Sequence, residues 1–283
     1  MTEAVIRHYR HDCGQATLHV AEAGEGEPVL LLHGFPELWF AWRRMLVGLA
    51  ASGFRAIAPD LRGYGSSDKP RGIEPYRVSA VLGDLRTLIR ERCGGSASLV
   101  AHDWGGTLAY CLASESPELV TRLTILNAAQ PERLGAMLLS STQLFRSWYI
   151  FAFQLPVLPE WFLQQRAVMD AILRGSAARP DTFSDDDILR YHAALLVPHA
   201  AESAVNYYRA SFRWPVSAVR PLEAPTLVIW GDRDAALDQR LLDGLEAFVP
   251  KVRIEHVPNA GHFVHHEQPE LVERLVREHL RAG

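Results

Sequence analysis

The sequence predicts an α/β fold in which a mostly parallel, doubly wound sheet carries an inserted helical cap. Up to about residue 125, short apolar segments alternate with helical stretches. Such alternation is typical of a parallel sheet with helices on its faces. The alternation stops near residue 130 and resumes near residue 222, and a chain of 283 residues is long enough to hold both parts.

The predicted core strands are short apolar runs, as expected for strands that are buried on both faces. Before the interruption they cover residues 29–32, 55–58, 98–101 and 122–126. The helices between them are predicted at residues 42–52, 78–93 and 107–114. Two earlier runs are expected to form an antiparallel pair at the sheet edge, at residues 5–9 and 16–21.

The segment from residue 130 to residue 221 is predicted to be a helical cap. It contains no convincing strand, it is punctuated by prolines such as Pro131 and Pro156, and it is rich in aromatic side chains. After it, strands are predicted at residues 226–230 and 252–256, and helices at 237–248 and 269–280. The expected organisation is therefore a core domain of residues 1–129 and 222–283 and a cap of residues 130–221.

Composition restricts the partners and the location. A net charge of -4 gives no reason to expect a nucleic acid or an anionic membrane as partner. No apolar run reaches the roughly 18 residues of a transmembrane helix, and residues 1–10 lack the apolar centre of an export signal. The three cysteines are far apart and form no CxxC motif, which favours buried thiols in a reduced, cytoplasmic protein.

Asp103 is the most informative residue. It stands between a predicted strand and a predicted helix, with Ala101 two positions before it and Gly105 two positions after it. This pattern predicts a nucleophile elbow, which usually presents a serine. An aspartate can instead displace a leaving group from saturated carbon and form an ester that water can hydrolyse. On its own Asp103 could also be a helix-capping residue, but two later residues favour the catalytic interpretation.

Those two residues are Asp234 and His262. Each follows a predicted core strand, where ligands gather in open α/β sheets. Hydrolysis of a covalent ester needs a base for water and a group that orients the base. The order nucleophile, acid, histidine is that of the α/β-hydrolase triad, and Asp232 beside the acid is interpreted as a turn residue.

With these residues, the chain resembles the α/β-hydrolases, and among them the epoxide hydrolases, from about residue 28 to residue 280. The matching segments read HGFPE at 33–37, GYGSSDKP at 63–70, HDWGG at 102–106, NYYR at 206–209, GDRD at 231–234 and GH at 261–262. One departure is Ala101, where this elbow usually has glycine, so a slightly tighter turn is expected.

The resemblance implies a role for each residue of the site. Asp103 would open an epoxide to a vicinal diol through an alkyl-enzyme ester, and His262, oriented by Asp234, would activate water. The oxyanion hole would be formed by the backbone N–H groups of Phe35 and Trp104. The two ring-opening proton donors of the cap would be Tyr149 and Tyr208, with Tyr207 as the main rival for the second position.

The expected substrate is a small hydrophobic epoxide, with water as the second reactant. Further residues predicted to line the substrate pocket are His33, Pro36, Trp148, Tyr207 and Phe263. No cofactor or metal is expected. His265 and His266 are interpreted as polar residues at a helix start, too close to the catalytic loop to share a metal with another ligand. Monomer and homodimer both stay open.

Three other members of the α/β-hydrolase fold are alternatives to an epoxide hydrolase. A haloalkane dehalogenase would use the same triad, but it typically has asparagine where this chain has Phe35. A haloacetate dehalogenase typically reads DRGGR at the elbow, whereas residues 103–107 read DWGGT. A non-catalytic ligand-binding member of the fold usually has a damaged triad, and this triad is intact. The two departures from the dehalogenase patterns favour an epoxide as substrate, and the intact triad favours an enzyme.

Overall fold

The computed structural model describes residues 5–216 and 220–282. Eight strands form one sheet in the order β1-β2-β4-β3-β5-β6-β7-β8. In chain order they are Arg7–Asp12, Thr17–Ala23, Glu27–Leu32, Phe54–Pro59, Ala97–His102, Val120–Leu126, Thr226–Gly231 and Val252–Val257. All strands from β3 onward pair in parallel, and β2 joins β1 and β4 in antiparallel fashion. The predicted α/β class and the antiparallel edge pair are confirmed.

Helices cover both faces of the sheet. Alternate residues of β3 serve the two sides, since Leu31 packs with α1 (Arg43–Ala51) and α12 (Pro269–Arg281), and Leu30 packs with the opposite cluster. That second cluster includes α2 (Val78–Arg92) and α3 (Trp104–Glu115). The strands are therefore apolar on both faces, which is why they read as continuous apolar runs.

Seven α-helices lie between β6 and β7 in the described part of this segment. They are α4 Pro131–Met137, α5 Ser141–Arg146, α6 Trp148–Ala152, α7 Leu158–Leu163, α8 Arg166–Ser176, α9 Asp185–Leu196 and α10 Ala200–Arg213. No strand occurs among the described residues of this segment. A capping box of Ser184 and Asp187 begins α9, and Pro131 is the first residue of α4. Residues 217–219, near the predicted end of the cap, lie outside the described residues.

The helix predicted at residues 237–248 is wrong. The segment forms two 3₁₀ turns instead, Gln239–Leu242 and Leu245–Ala247. Gly244, between them, adopts a left-handed conformation with φ of 71°, which ends a right-handed helix. The side chain of Asp238 also accepts from the Arg240 N–H and so favours a turn.

Two further predictions concern the whole chain. Within residues 5–216 and 220–282, none of the helices combines the length and apolar character needed to cross a membrane. Cys13, Cys93 and Cys111 are buried and not disulfide-bonded. Burial raises the pKa of each thiol, to about 12, 11 and 12 respectively, so all three are protonated at neutral pH.

Candidate active site

Asp103 lies in the sharp turn between β5 and α3. Its backbone has φ of 49°, a conformation that residues other than glycine rarely adopt. The turn is tight because α3 approaches β3 closely: a Cβ atom on Gly105 would lie 2.3 Å from the Leu32 carbonyl oxygen. A Cβ atom on Gly34 would lie 2.3 Å from Cβ of Asp103. The two glycines thus make room for the strained turn that presents the carboxylate.

The carboxylate is held by a backbone donor from the loop after β3. The Phe35 N–H donates to Oδ1 of Asp103 at 2.7 Å. Trp104 is the first residue of α3, so its N–H is one of the helix-terminal donors without an intrahelical partner. The positive end of the helix dipole also favours an anion at this position.

His262 connects the two carboxylates. Its Nδ1 atom lies 2.8 Å from Oδ2 of Asp234, and its Nε2 atom lies 3.7 Å from Oδ2 of Asp103. Its backbone N–H donates to the carbonyl of Ser176, at the end of α8. A Cβ atom on Gly261 would lie 2.6 Å from that same carbonyl, so the cap packs tightly against the histidine loop.

Both carboxylate oxygens of Asp234 accept hydrogen bonds. Its Oδ1 atom accepts from the N–H groups of Ala236 and Leu237, at 2.7 and 2.9 Å. Its Oδ2 atom accepts from the Asn127 side-chain amide at 2.7 Å. Although burial alone would raise the pKa of Asp234, His262 and these donors lower it, so the carboxylate is ionised. Asp232 contacts the exposed His256 instead and is not part of the triad.

The two carboxylates determine the protonation of His262. Burial alone would lower the pKa of its ring, but Asp234 and Asp103 outweigh burial and raise the pKa to about 9. The imidazole is therefore protonated at neutral pH in the free enzyme. A reaction that neutralised Asp103 would remove one of the anions that raise this pKa.

A second buried network lies behind the triad. The Nδ1 atom of His102 lies 2.8 Å from Oε2 of Glu37, and its Nε2 atom lies 3.0 Å from the backbone oxygen of His262. The Nε2 atoms of His265 and His266 both lie near the other carboxylate oxygen, Oε1, at 3.1 and 2.8 Å.

This network corrects the interpretation of His265 and His266. Both residues lie in a helix start, as predicted, in α11 (Val264–Glu267). Both also contact the carboxylate of Glu37, which is a third metal-ligating side chain. Burial lowers the pKa of His265 to about 4. Although burial alone would raise the pKa of Glu37, the surrounding histidines hold it well below its usual range.

A cavity of about 770 Å³ lies over the triad. Asp103, His262, Tyr149 and Tyr208 all line it, and most of the remaining lining is apolar and comes from the cap. The rings of Tyr149 and Tyr208 contact each other edge to face, with centroids 5.8 Å apart. Burial and the nearby Asp103 raise the pKa of both hydroxyls well above the ordinary value, so both remain protonated donors.

The cavity separates the predicted lining residues into two groups. Trp148 and Phe263 line it, as does Phe35, the predicted oxyanion-hole residue. His33, Pro36 and Tyr207 are not among its lining residues. The His33 ring is buried between the Gly34 carbonyl and the Leu61 N–H. The Tyr207 hydroxyl donates to the Arg62 carbonyl at 2.8 Å, whereas Tyr208 lines the cavity.

Pro36 lies in the loop that carries the Phe35 N–H. Its peptide bond with Phe35 is cis. The turn is closed by a hydrogen bond from the Glu37 N–H to the Gly34 carbonyl at 2.9 Å. Pro36 therefore helps to shape the backbone beside Asp103 without touching the cavity.

Sequence reasoning missed three contributors to the site: Asn127, Glu37 and Arg146. Asn127 follows β6 at the same sheet edge as the triad, and this position could have identified it from the sequence. Glu37 stood within the quoted HGFPE segment but had no assigned partner. Arg146 lines the cavity, and its guanidinium donates to the backbone oxygen of Asp234; nothing in the sequence indicated that contact.

The chain is similar to several known proteins. The alpha/beta hydrolase fold family matches residues 27–269. AB hydrolase superfamily protein YfhM of Bacillus subtilis (strain 168) is 37% identical, over 94% of each chain. Epoxide hydrolase 3 of Xenopus tropicalis is 36% identical, over 95% of this chain and 76% of that protein. The crystal structure of epoxide hydrolase VrEH1 from Vigna radiata superposes with a TM-score of 0.85 and 28% identity, covering 99% of this chain and 98% of that one.

The fold, the elbow and the family match together define an α/β-hydrolase, and the chain belongs to that family. Within it, the chain belongs with the epoxide hydrolases, to which it is 30% or more identical over most of its length. It is a hydrolase.

Proposed function

We propose that this enzyme hydrolyses epoxides with apolar substituents to vicinal diols through a covalent ester on Asp103. The observation that carries the proposal is that a carboxylate nucleophile, a histidine base and two protonated tyrosines line one cavity. The largely apolar lining suits a hydrophobic substrate of small-molecule size. Water is the second reactant, and the mechanism requires no cofactor.

In the first half-reaction, Asp103 attacks one carbon of the epoxide and forms a C–O bond. The bond between that carbon and the epoxide oxygen breaks, and its electron pair goes to the oxygen. An alkoxide is a strong base, so a proton must reach it as it leaves. Tyr149 and Tyr208 supply the hydrogen bond and the proton, since both are protonated and both line the cavity.

In the second half-reaction, water attacks the carbonyl carbon of the ester. Because the ester neutralises Asp103, His262 first releases its proton to solvent. It then takes a proton from the attacking water, and Asp234 stabilises the imidazolium. The developing oxyanion is stabilised by the N–H groups of Phe35 and Trp104. Collapse of the tetrahedral intermediate breaks the bond to the alkyl oxygen, which receives the proton from His262 as the diol leaves. Asp103 is regenerated as a carboxylic acid and passes its proton to His262, and the tyrosine recovers its proton from solvent, which restores the free enzyme.

The competing function is haloalkane or haloacetate dehalogenation with the same triad. A departing halide needs N–H donors and no proton. Trp104 does not line the cavity, and its ring instead contacts Tyr208 edge to face, with centroids 5.1 Å apart. A pair of protonated hydroxyls at the cavity wall favours an oxygen leaving group. A non-catalytic role is disfavoured because the triad is connected.

The test combines two variants with two substrates. Asp103→Asn should reduce turnover of a styrene oxide by about 10⁴-fold or more, as expected for loss of a residue that acts in a catalytic unit. His262→Gln should stall with one substrate bound to Asp103, visible as a mass increase equal to the intact epoxide. If the wild type leaves styrene oxide untouched and releases halide from a haloalkane, the dehalogenase function replaces the proposal.

The location proposed for the enzyme is the cytoplasm. Its support is the set of three unpaired, buried cysteines, which suits a reducing compartment.

A further inference from the structure

Glu37, His265 and His266 bring three metal-ligating side chains together outside the catalytic cavity. One ligand atom from each of the three side chains lies within 4.8 Å of the other two. The Nε2 atoms of His265 and His266 lie 3.1 and 2.8 Å from Oε1 of Glu37. A tetrahedral zinc ion holds ligands about 3.4 Å apart, given bonds of about 2.0 to 2.1 Å. The three atoms therefore need only small shifts to enclose an ion.

The donor set is one that first-row transition metals prefer. Two imidazoles and one carboxylate make up a known zinc-binding combination, and the same combination binds iron with open coordination positions. The three residues come from two distant segments, the loop after β3 and helix α11. The folded chain is therefore needed to assemble the cluster.

The polar contacts around the cluster allow a metal ion to replace the contacts between Glu37 and the two histidines. The Nδ1 atom of His265 has no hydrogen-bond partner among the described atoms, so Glu37 is the group that holds its ring by a polar contact. The flat face of the ring stacks on Trp42, with centroids 4.8 Å apart. Oε2 of Glu37 faces His102, so an ion at Oε1 leaves the contact behind the triad in place.

A route for the ion and for a fourth ligand is also present. A small surface cavity of about 100 Å³ is lined by His265 and His266 but not by Asp103 or His262. Glu273 lines it as well, and the two cationic neighbours, Arg43 and Arg44, are paired with Asp187 and Glu270. Water can therefore reach the imidazoles without passing through the substrate cavity.

We propose that Glu37, His265 and His266 form a binding site for a divalent transition-metal ion, with water as the remaining ligand. The site is separate from the substrate cavity, and its occupancy is measurable without any substrate.

The experiment uses the full chain, stripped of metal with a chelator and dialysed against Zn²⁺. The wild type should retain one tightly bound equivalent, and a Co²⁺ sample should show the visible absorption of a tetrahedral site. His266→Gln removes the less buried imidazole and should weaken Zn²⁺ binding by about 100-fold or more, at least as much as loss of an outer-shell partner. Zn²⁺ should raise the melting temperature of the wild type but not that of this variant.

The matched control is His256→Gln. His256 is exposed and also pairs with a carboxylate, that of Asp232, so an adventitious histidine–carboxylate site would lose its metal here. Retention of the tight equivalent by His256→Gln supports the proposal. Equal Zn²⁺ binding by wild type, His265→Gln and His266→Gln, or no binding by a folded wild type, overturns it. Should His266→Gln fail to melt cooperatively, His265→Gln provides the same comparison.

Discussion

The Nε2 atom of His262 lies 3.7 Å from the Oδ2 atom of Asp103. This separation is too long for a direct hydrogen bond. The other carboxylate oxygen, Oδ1, is held at 2.7 Å by the Phe35 N–H. The two oxygens of Asp103 are therefore not equivalent, since one is fixed by the backbone and the other faces the imidazole.

Under the proposed mechanism, Oδ2 attacks the epoxide and Oδ1 becomes the ester carbonyl oxygen. With enzyme in excess in H₂¹⁸O, the first turnover should therefore place ¹⁸O in Asp103 and leave the diol unlabelled. Mass spectrometry of the diol and of the peptide that contains Asp103 measures both. Repeated turnover provides the control, because labelled diol should then appear. Labelled diol in the first turnover would indicate direct attack of water on the epoxide.

The pKa of His262 should fall when Asp103 loses its charge. An adjacent anion favours the protonated ring, and Asp103 is one of the two carboxylates that raise this pKa to about 9. In Asp103→Asn the pKa should be lower than in the wild type, because one stabilising anion is gone. Histidine NMR titration of the two proteins makes the comparison. An equal or higher pKa in the variant would contradict the electrostatic coupling.

The lowering of the His262 pKa should also affect how the rate of ester hydrolysis depends on pH. Ester formation neutralises Asp103, so the imidazole in the intermediate should lose its proton at a lower pH than in the free enzyme. The rate of ester hydrolysis should therefore rise with pH and level off below pH 9. Single-turnover measurements of ester decay across pH give the apparent pKa of this rise in rate. An apparent pKa of 9 or above would contradict the prediction.

Tyr149 and Tyr208 should share the work of ring opening. Loss of one donor to a developing oxyanion costs about 10²-fold to 10³-fold. Since two donors are partly redundant, each single Tyr→Phe variant should slow alkylation by less than this range, and the double variant should fall within it or beyond. Stopped-flow tryptophan fluorescence or rapid-quench mass spectrometry follows alkylation directly.

Tyr207→Phe is the matched control for those variants. Tyr207 neighbours Tyr208 in α10, but its hydroxyl donates to the Arg62 carbonyl. Its loss should leave the alkylation rate nearly unchanged and lower the free energy of unfolding by about 1 kcal/mol. A larger alkylation defect in Tyr207→Phe than in Tyr208→Phe would reverse the assignment of the second donor.

The parts of this site that were predictable from sequence are those encoded locally. Asp103 was identified by its turn, and Asp234 and His262 by their positions after strands at the sheet edge that ligands use. Those patterns depend on a few adjacent residues. The confirmed sheet likewise follows from short apolar runs that need burial on both faces.

Contacts between distant segments were not predictable in the same way. Tyr207 and Tyr208 are adjacent in sequence, and only the rotation of α10 against the core directs one hydroxyl to Arg62 and the other ring to the cavity. His265 and His266 meet Glu37 across more than half of the chain. No local pattern encodes these pairings, because they join segments that are far apart in the sequence.

Asn127 should act as a positioning residue for ester hydrolysis. Its amide donates to Asp234 at 2.7 Å, and its side-chain oxygen accepts from the Gly231 N–H at 2.8 Å. Its φ is 38°, so glycine is the substitution that its backbone tolerates best. Asn127→Gly should lower kcat by about tenfold, within the range seen when outer partners of a catalytic group are lost, because Asp234 orients His262 less firmly.

A comparison of the alkylation rate with the rate of ester decay distinguishes a positioning role of Asn127 from a general loss of stability. In Asn127→Gly, alkylation should keep nearly its wild-type rate, and the ester should accumulate during turnover because its decay is slower. The control is Asn259→Gly, an exposed asparagine in the loop before His262, which should leave both steps unchanged. Burst-phase kinetics with intact-mass detection of the ester measures the two rates. If alkylation and ester decay slow equally in Asn127→Gly, its effect is on the fold of the site rather than on the orientation of Asp234.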